Sequence, residues 1–264
     1  MDFPIYQVDA FADAVFKGNP AAVMPLDSWL DDRLLQAIAM ENNLSETAYL
    51  VKAAEGYELR WFTPQMEVDL CGHATLAVAH VLFEHLDYRG SEILFHTRSG
   101  LLRVHRSGTR LTLDFPATEL VSIDVDVAVC NALGATASEA LAPYGKPGAR
   151  LYIYEFEADI ATLSPDFAAL LAASEYPVIV SAPGNECDAV SRFFGPQVGI
   201  NEDPVTGSAH CTLVPYWAGR LHKRKLNCRQ ISARGGQLDC ELRDGRVFMT
   251  GSAVTFMQGF VHHI

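Results

Sequence analysis

Three side chains with acid–base chemistry fall in the first third of the chain: Glu46, Cys71 and His73. Glu46 lies in Asn42-Asn43-Leu44-Ser45-Glu46-Thr47-Ala48-Tyr49-Leu50, where a polar turn enters an apolar strand. Half-burial at such a junction suits a carboxyl to proton transfer. An exposed strand-end glutamate is the plainer reading of this segment, and spacing does not overturn it. Cys71 and His73 flank Gly72. Thiols act as bases in cofactor-free racemases, often in pairs with one on each face of the reacting carbon. His73 stands at the first turn of a predicted helix, where the helix dipole disfavours a charged ring and favours neutral imidazole.

These residues recur in outline further along. Arg60-Trp61-Phe62-Thr63-Pro64-Gln65 is matched 132 residues later by Arg192-Phe193-Phe194-Gly195-Pro196-Gln197. After each copy comes an acid, then a glycine followed by a polar residue and alanine. The first half reads Asp69-Leu70-Cys71-Gly72-His73-Ala74 and the second Asp203-Pro204-Val205-Thr206-Gly207-Ser208-Ala209. Two matching segments in the same order, each leading into an apolar run, point to an internal duplication. Two related lobes then face each other, with a ligand expected in the cleft between them. Gly72 and Gly207 each open a helix, whose free backbone N–H groups and positive dipole end attract a carboxylate or phosphate. His73 and Ser208 offer polar side chains at matching places. Where the first half has Cys71 the second has Thr206, and a hydroxyl is no base without strong activation. The two-thiol mechanism therefore lacks one thiol, and a proton shift by one carboxylate remains open.

The chain has 264 residues, 49% of them hydrophobic and 20% charged, enough for two lobes with their own cores. Its net charge of −12 argues against nucleic acid or an anionic membrane as partner. No basic stretch followed by an apolar run opens the chain, and no apolar stretch is long enough to span a bilayer, so a cytoplasmic protein is expected. Cys71, Cys130, Cys187, Cys211, Cys228 and Cys240 form no C-x-x-C pair, and all but Cys71 read as small buried hydrophobes. His80, His85, His105, His222, His262 and His263 have no site-like context. No histidine pair has metalloprotease spacing, so no metal site is expected.

The elements that must position these residues alternate short strands with two strong helices. Strands are predicted at 3–8, 21–24, 46–51 and 57–62, with a meander over 93–97, 101–106 and 111–115. A helix is predicted over 28–41, with Ser28 and Asp31 in N-cap box spacing, and the strongest helix of this half over 72–86. The second half reads as a helix over 124–133 closed by Gly134, a loop over 134–148, a strand over 151–156 and a helix over 165–173. Strands follow at 177–181 and 189–194. A helix over 207–221 comes next, with Pro215 expected to kink it. Strands at 231–233, 237–242, 246–250 and 252–261 close the chain. The expected fold is α+β: two pseudo-symmetric lobes, each a curved, mostly antiparallel sheet around a central helix. The boundaries are 1–115, completed by the last strand over 253–264, and 116–252.

N-L-S-E-T-A at 43–48, D-L-C-G-H-A-T-L-A at 69–77 and N-E-D-P-V-T-G-S-A-H at 201–210 resemble the PhzF family, as does V-D-A-F-x6-G-N-P-A-A-V near the start. The family is similar in fold to diaminopimelate epimerase and is usually homodimeric. Its best-known member isomerises trans-2,3-dihydro-3-hydroxyanthranilate on the route to phenazines. The resemblance implies a cofactor-independent, metal-independent isomerase acting on a small carboxylate-bearing substrate. Glu46 would take a proton from one carbon and return it to another. His73, Asp203 and Ser208 would shape the site, and Gly72 and Gly207 would lend backbone donors. Residues 116–192 carry no motif shared with the family, so the substrate is left unspecified. Two other functions stay open: an amino-acid racemase or epimerase working through Cys71, and a non-catalytic small-molecule-binding protein of the same fold.

Overall fold

The computed structural model describes residues 2–262, so His263 and Ile264, part of the expected last strand, lie outside it. The chain divides into two compact units, one of residues 1–114 with 250–264 and the other of residues 115–249.

The first unit holds β1 (Phe3–Ala10), β2 (Asn19–Leu26), α1 (Asp32–Asn42), β3 (Glu46–Lys52), β4 (Tyr57–Phe62), β5 (Glu67–Val68), α2 (Gly72–Glu84), β6 (Glu92–Thr97), β7 (Gly100–Ser107) and β8 (Arg110–Pro116). The last strand of the chain, Ala253–Val261, pairs antiparallel with β1. From there the sheet runs β1–β2 antiparallel, β2–β3 parallel, β3–β4 antiparallel, β4–β6 parallel and β6–β7 antiparallel. Short β5 folds back on β4. Eleven of the thirteen α2 residues are buried, as expected of a helix apolar on nearly every side. α2 packs on β1, β2, β3 and the last strand.

The second unit holds β9 (Leu120–Ile123), α3 (Val127–Leu133), β10 (Glu139–Pro143), β11 (Arg150–Ile153), α4 (Glu157–Ala161), α5 (Phe167–Ala173), β12 (Val178–Pro183), β13 (Ala189–Gly195), β14 (Ile200–Asp203), α6 (Gly207–Leu221), β15 (Lys225–Gln230), β16 (Gly236–Arg243) and β17 (Arg246–Gly251). Its pairing is β9–β10 and β10–β11 antiparallel, β11–β12 parallel, β12–β13 antiparallel, β13–β15 parallel and β15–β16 antiparallel. This is the order and sense of the first unit, strand for strand, with β14 folding back on β13 as β5 does on β4. α6 packs on β15 and β16. Pro215 lies within α6, which runs on to Leu221.

Several elements differ from their sequence expectation. α1 starts at Asp32 rather than Ser28, because the Asp31 carboxylate caps it by accepting the Arg33 N–H at 2.9 Å. α3 likewise starts at Val127, capped by Asp126. Within the expected loop 134–148, residues 139–143 form β10, bridged between β9 and β11. The strand expected to reach Phe156 stops at Ile153, and Phe156 instead precedes helix α4, its N–H held by the Asp159 carboxylate. No strand covers 231–233. The strand is Lys225–Gln230, which turns Leu226, Cys228 and Gln230 inward. All six cysteines are free thiols; Cys187 is half-buried and the others are buried. Among the described residues no helix is long and apolar enough to cross a membrane.

Candidate active site

The duplicated hexamer marks one local structure made twice. Arg60 on β4 grips Glu67 of β5 through two hydrogen bonds of 2.7 Å, and Arg192 on β13 grips Glu202 of β14 at 2.8 and 2.9 Å. Each guanidinium also lies over the phenylalanine two residues on, Phe62 at 5.1 Å and Phe194 at 4.9 Å. A planar fork matched to a carboxylate fixes both hairpins, and each hairpin delivers the chain to a helix start. The two acids that match in the sequence, Asp69 and Asp203, are not equivalent. Asp203 pairs with Phe193 across its hairpin, and the residue so placed in the first unit is Val68, opposite Trp61. Asp69 is exposed.

In the first unit the helix start gathers the three residues of interest. Cys71 is the N-cap of α2 and leaves the first N–H groups uncapped by its side chain. Its sulfur lies 3.5 Å from His73 Nδ1, and His73 Nε2 lies 3.1 Å from Glu46 Oε2. The latter pair are close as charges yet lack the alignment of a hydrogen bond. Asn19, at the start of β2, places Nδ2 3.2 Å from His73 Nδ1, and its Oδ1 accepts the Ser45 hydroxyl at 3.1 Å. The His73 side chain is 4% exposed and that of Glu46 12%, so Glu46 is enclosed but keeps an open edge. That answers the question its sequence context left open: it is no free strand-end carboxylate.

Burial opposes a charge on His73, yet the Cys71 sulfur and the Glu46 carboxylate together draw its proton affinity well above the ordinary imidazole range. The dipole-based expectation of a depressed, neutral ring is corrected: the Cys71 sulfur and the Glu46 carboxylate together outweigh burial. Burial, reinforced by the Glu46 carboxylate, pushes the Cys71 thiol up to about 11. At neutral pH Cys71 therefore stays protonated, a proton donor rather than a base. Glu46, Cys71 and His73 each present a metal-ligating atom, all within 4.8 Å of one another. The two ring nitrogens face different neighbours, Nδ1 toward Cys71 and Asn19 and Nε2 toward Glu46.

In the second unit Thr206 is the N-cap of α6, and its hydroxyl donates to the Asp203 carboxylate. Gln230 locks this corner. Its Oε1 accepts the Thr206 N–H at 2.8 Å and its Nε2 donates to the Asp203 carbonyl at 2.7 Å. Asp203, Thr206 and Gly207 are buried, while Ser208 is exposed, unlike its counterpart His73. His210 is fully buried and donates from Nδ1 to the Thr206 carbonyl; burial lowers its pKa to about 4. The site residues expected from sequence thus fall into two sets, Glu46, Gly72 and His73 in one unit and Asp203, Gly207 and Ser208 in the other. Sequence reading missed Asn19 and Gln230 as partners. Asn19 had a signal in the Gly18-Asn19-Pro20 turn; Gln230 had none.

A family model for phenazine biosynthesis-like proteins, PhzC-PhzF, matches residues 8–259. An uncharacterized isomerase of Pseudomonas aeruginosa is 52% identical over 262 residues, covering 99% of this chain and all of its own. The crystal structure of a phenazine biosynthesis protein of the PhzF family from Enterococcus faecalis superposes with a TM-score of 0.95 at 45% identity, over the whole of both chains. A predicted epimerase from Pseudomonas aeruginosa has a TM-score of 0.78 at 21% identity over 99% of this chain and 100% of its own, which shows a shared fold. A duplicated α+β architecture, matched motifs in both units and relatives aligned end to end lead to one conclusion: the chain belongs to the phenazine biosynthesis-like PhzC-PhzF family.

Proposed function

We propose that this protein is an isomerase that moves a proton on a small carboxylate-bearing substrate, with Glu46 as the proton carrier. The carrying observation is the enclosure of Glu46 beside His73 and Cys71, where a carboxylate would otherwise be solvated. A mostly buried base meets a C–H with little competing water. Glu46 would accept the proton from one carbon and deliver it to another, so no net acid or base is consumed. The substrate's own conjugation carries the charge between the two steps, as in the isomerisation of trans-2,3-dihydro-3-hydroxyanthranilate. The relatives' names as isomerases support the reaction class.

The second unit is assigned a binding role. The start of α6 leaves N–H groups uncapped by the Thr206 side chain, and backbone donors of that kind suit a carboxylate, with Ser208 beside them. Asp203, whose carboxylate is engaged by Thr206, is proposed to shape this end. A racemase working through Cys71 as base fits less well, since the thiol holds its proton to about pH 11.

The test is deuterium uptake from D2O into trans-2,3-dihydro-3-hydroxyanthranilate and a panel of small unsaturated acids, followed by mass spectrometry. Exchange lost in Glu46→Gln, with anion binding retained, supports the assignment. Full exchange in Glu46→Gln together with loss in Cys71→Ala would hand the role to the thiol.

A further inference from the structure

The strand at the rim of the first unit's sheet takes no part in the proposed reaction. This strand, β18 (Ala253–Val261), pairs with β1 on one side and with no other strand among the described residues. In the second unit β9 holds the same place beside β10. β9 is four residues long and sits between Glu119 and Asp124; shortness and flanking charge both protect an open edge. β18 runs nine residues, about 30 Å, without a charge or a proline. Its outer N–H and C=O groups form a template for another strand.

The side chains on this rim are apolar and open to water. Phe16 is 67% exposed, Phe260 58%, Met257 46% and Phe256 44%. Two backbone irregularities hold the first aromatic pair outward. Phe16 has φ +69°, a conformation that a side chain of its size rarely takes, and the buried Asp9 carboxylate accepts its N–H at 2.8 Å. The β1–β18 register slips between Gln7 and Val8, so Phe256 leaves the ladder and its ring meets that of Phe16 at 5.6 Å. Beyond this bulge Met257–Val261 stay in register with β1. Gly259, in the middle of that run, has no atom within 4 Å of the place a Cβ would take, which leaves room for a partner's side chain. Strain and a bulge that only wet two phenyl rings bring a lone chain no stability; once covered, the same pair is an apolar anchor.

Charge and symmetry select what covers it. The chain carries −12, so two copies repel over most of their surface and can meet along an uncharged strip. An antiparallel strand edge is complementary to itself across a two-fold axis. The four exposed side chains present on the order of 400 Å². A stable interface buries about 800 Å² per partner, which leaves the strand backbone and its flanks to supply the rest. We propose that β18 pairs antiparallel with β18 of a second copy of this chain, with Phe16, Phe256, Met257 and Phe260 as the apolar part of the contact. The pairing is independent of the role given to Glu46.

The experiment is sedimentation velocity of the full chain at about 10 μM. The natural chain is expected at twice 28.9 kDa. Phe256→Lys combined with Phe260→Lys sets like charges along the edge and should weaken association by about 10²-fold or more, leaving the 28.9 kDa species with its melting temperature little changed. Val127→Lys, 70% exposed in the second unit, should leave the dimer intact. Hydrogen exchange of the natural chain then tells strand pairing from any other contact. Amides within 257–261 should exchange slowly in the dimer and fast on dilution. A natural chain of 28.9 kDa, a dimer that survives the double substitution or is lost in Val127→Lys, or 257–261 amides equally fast in both states would each overturn the proposal.

Discussion

At the start of α2 the side chain four residues past the cap, Thr75, donates to the Cys71 carbonyl; at the start of α6, His210 donates in the same way to the Thr206 carbonyl. The backbone plan is shared down to this bond. Around it the chemistry diverges. The first unit surrounds its helix start with a carboxylate, an imidazole and a thiol in mutual contact. The second closes its own with Thr206 bonded to the Asp203 carboxylate and Gln230 bonded to the Thr206 N–H and the Asp203 carbonyl. The two buried histidines register the difference. His210, with only a carbonyl for company, is driven by burial to about 4, while His73, buried as deeply, is drawn well above the ordinary range. Burial by itself keeps an imidazole neutral; a carboxylate neighbour reverses the sign. The two units share equivalent helix starts, and the side chains around them differ: ionisable groups crowd the first, and a hydrogen-bonded corner closes the second.

The largest test of this contrast sets Glu46→Gln against Asp203→Asn. On the proposed mechanism the first lowers proton exchange about 10³-fold and the second acts mainly on KM. The reverse ranking, measured by steady-state kinetics, would exchange the roles of the units. Next in size are the paired arginines. Arg192 also donates to the Ile160 and Leu163 carbonyls, whereas the extra bond of Arg60 goes to the exposed carboxylate of Asp32. Arg192→Ala is therefore expected to destabilise by about 3 kcal/mol and Arg60→Ala by less, in urea unfolding. Equal losses would show that the added carbonyl contacts carry no weight.

A smaller effect distinguishes the histidines by pH. The unfolded chain takes up a proton at His210 near the ordinary value of 6.5, and the folded chain refuses it until about 4. Stability from this residue is thus complete above about pH 6.5 and is lost as pH falls toward 4. At about 1.4 kcal/mol per unit, the loss is on the order of 3–4 kcal/mol, and His210→Gln should flatten that limb of the unfolding curve. His73 has the opposite sign. Its raised affinity stabilises the fold below the unfolded value, and that contribution fades as pH rises through its folded value. An acid limb unchanged in His210→Gln would contradict the assignment. Smallest is Ser208→Ala, expected to raise KM by less than about tenfold with little effect on stability, since the side chain is exposed.

Local signals read from the sequence were good where chemistry is local. The helix starts at Gly72 and Gly207 fall where the glycine turns placed them, and the 132-residue echo corresponds to two hairpins with the same arginine fork. Strand Glu139–Pro143 was hidden because Ala- and Pro-rich composition reads as loop, and only pairing with strands on either side makes it extended. Lys225–Gln230 was overlooked because its inward residues include Cys228 and Gln230, which do not advertise an apolar face.

Residue order alone therefore determined the repeated architecture, the two glycine-led helices and the candidate status of Glu46, since periodicity, turn residues and motif are properties of neighbours along the chain. Tertiary structure decided what those residues became. It joined Glu46 to His73 across 27 positions and Asn19 to His73 across 54. It separated Asp203 from its apparent twin Asp69, and it gave the two buried histidines opposite affinities for a proton. The reason is that burial and charge act through space, over a few ångströms, between atoms the sequence holds far apart.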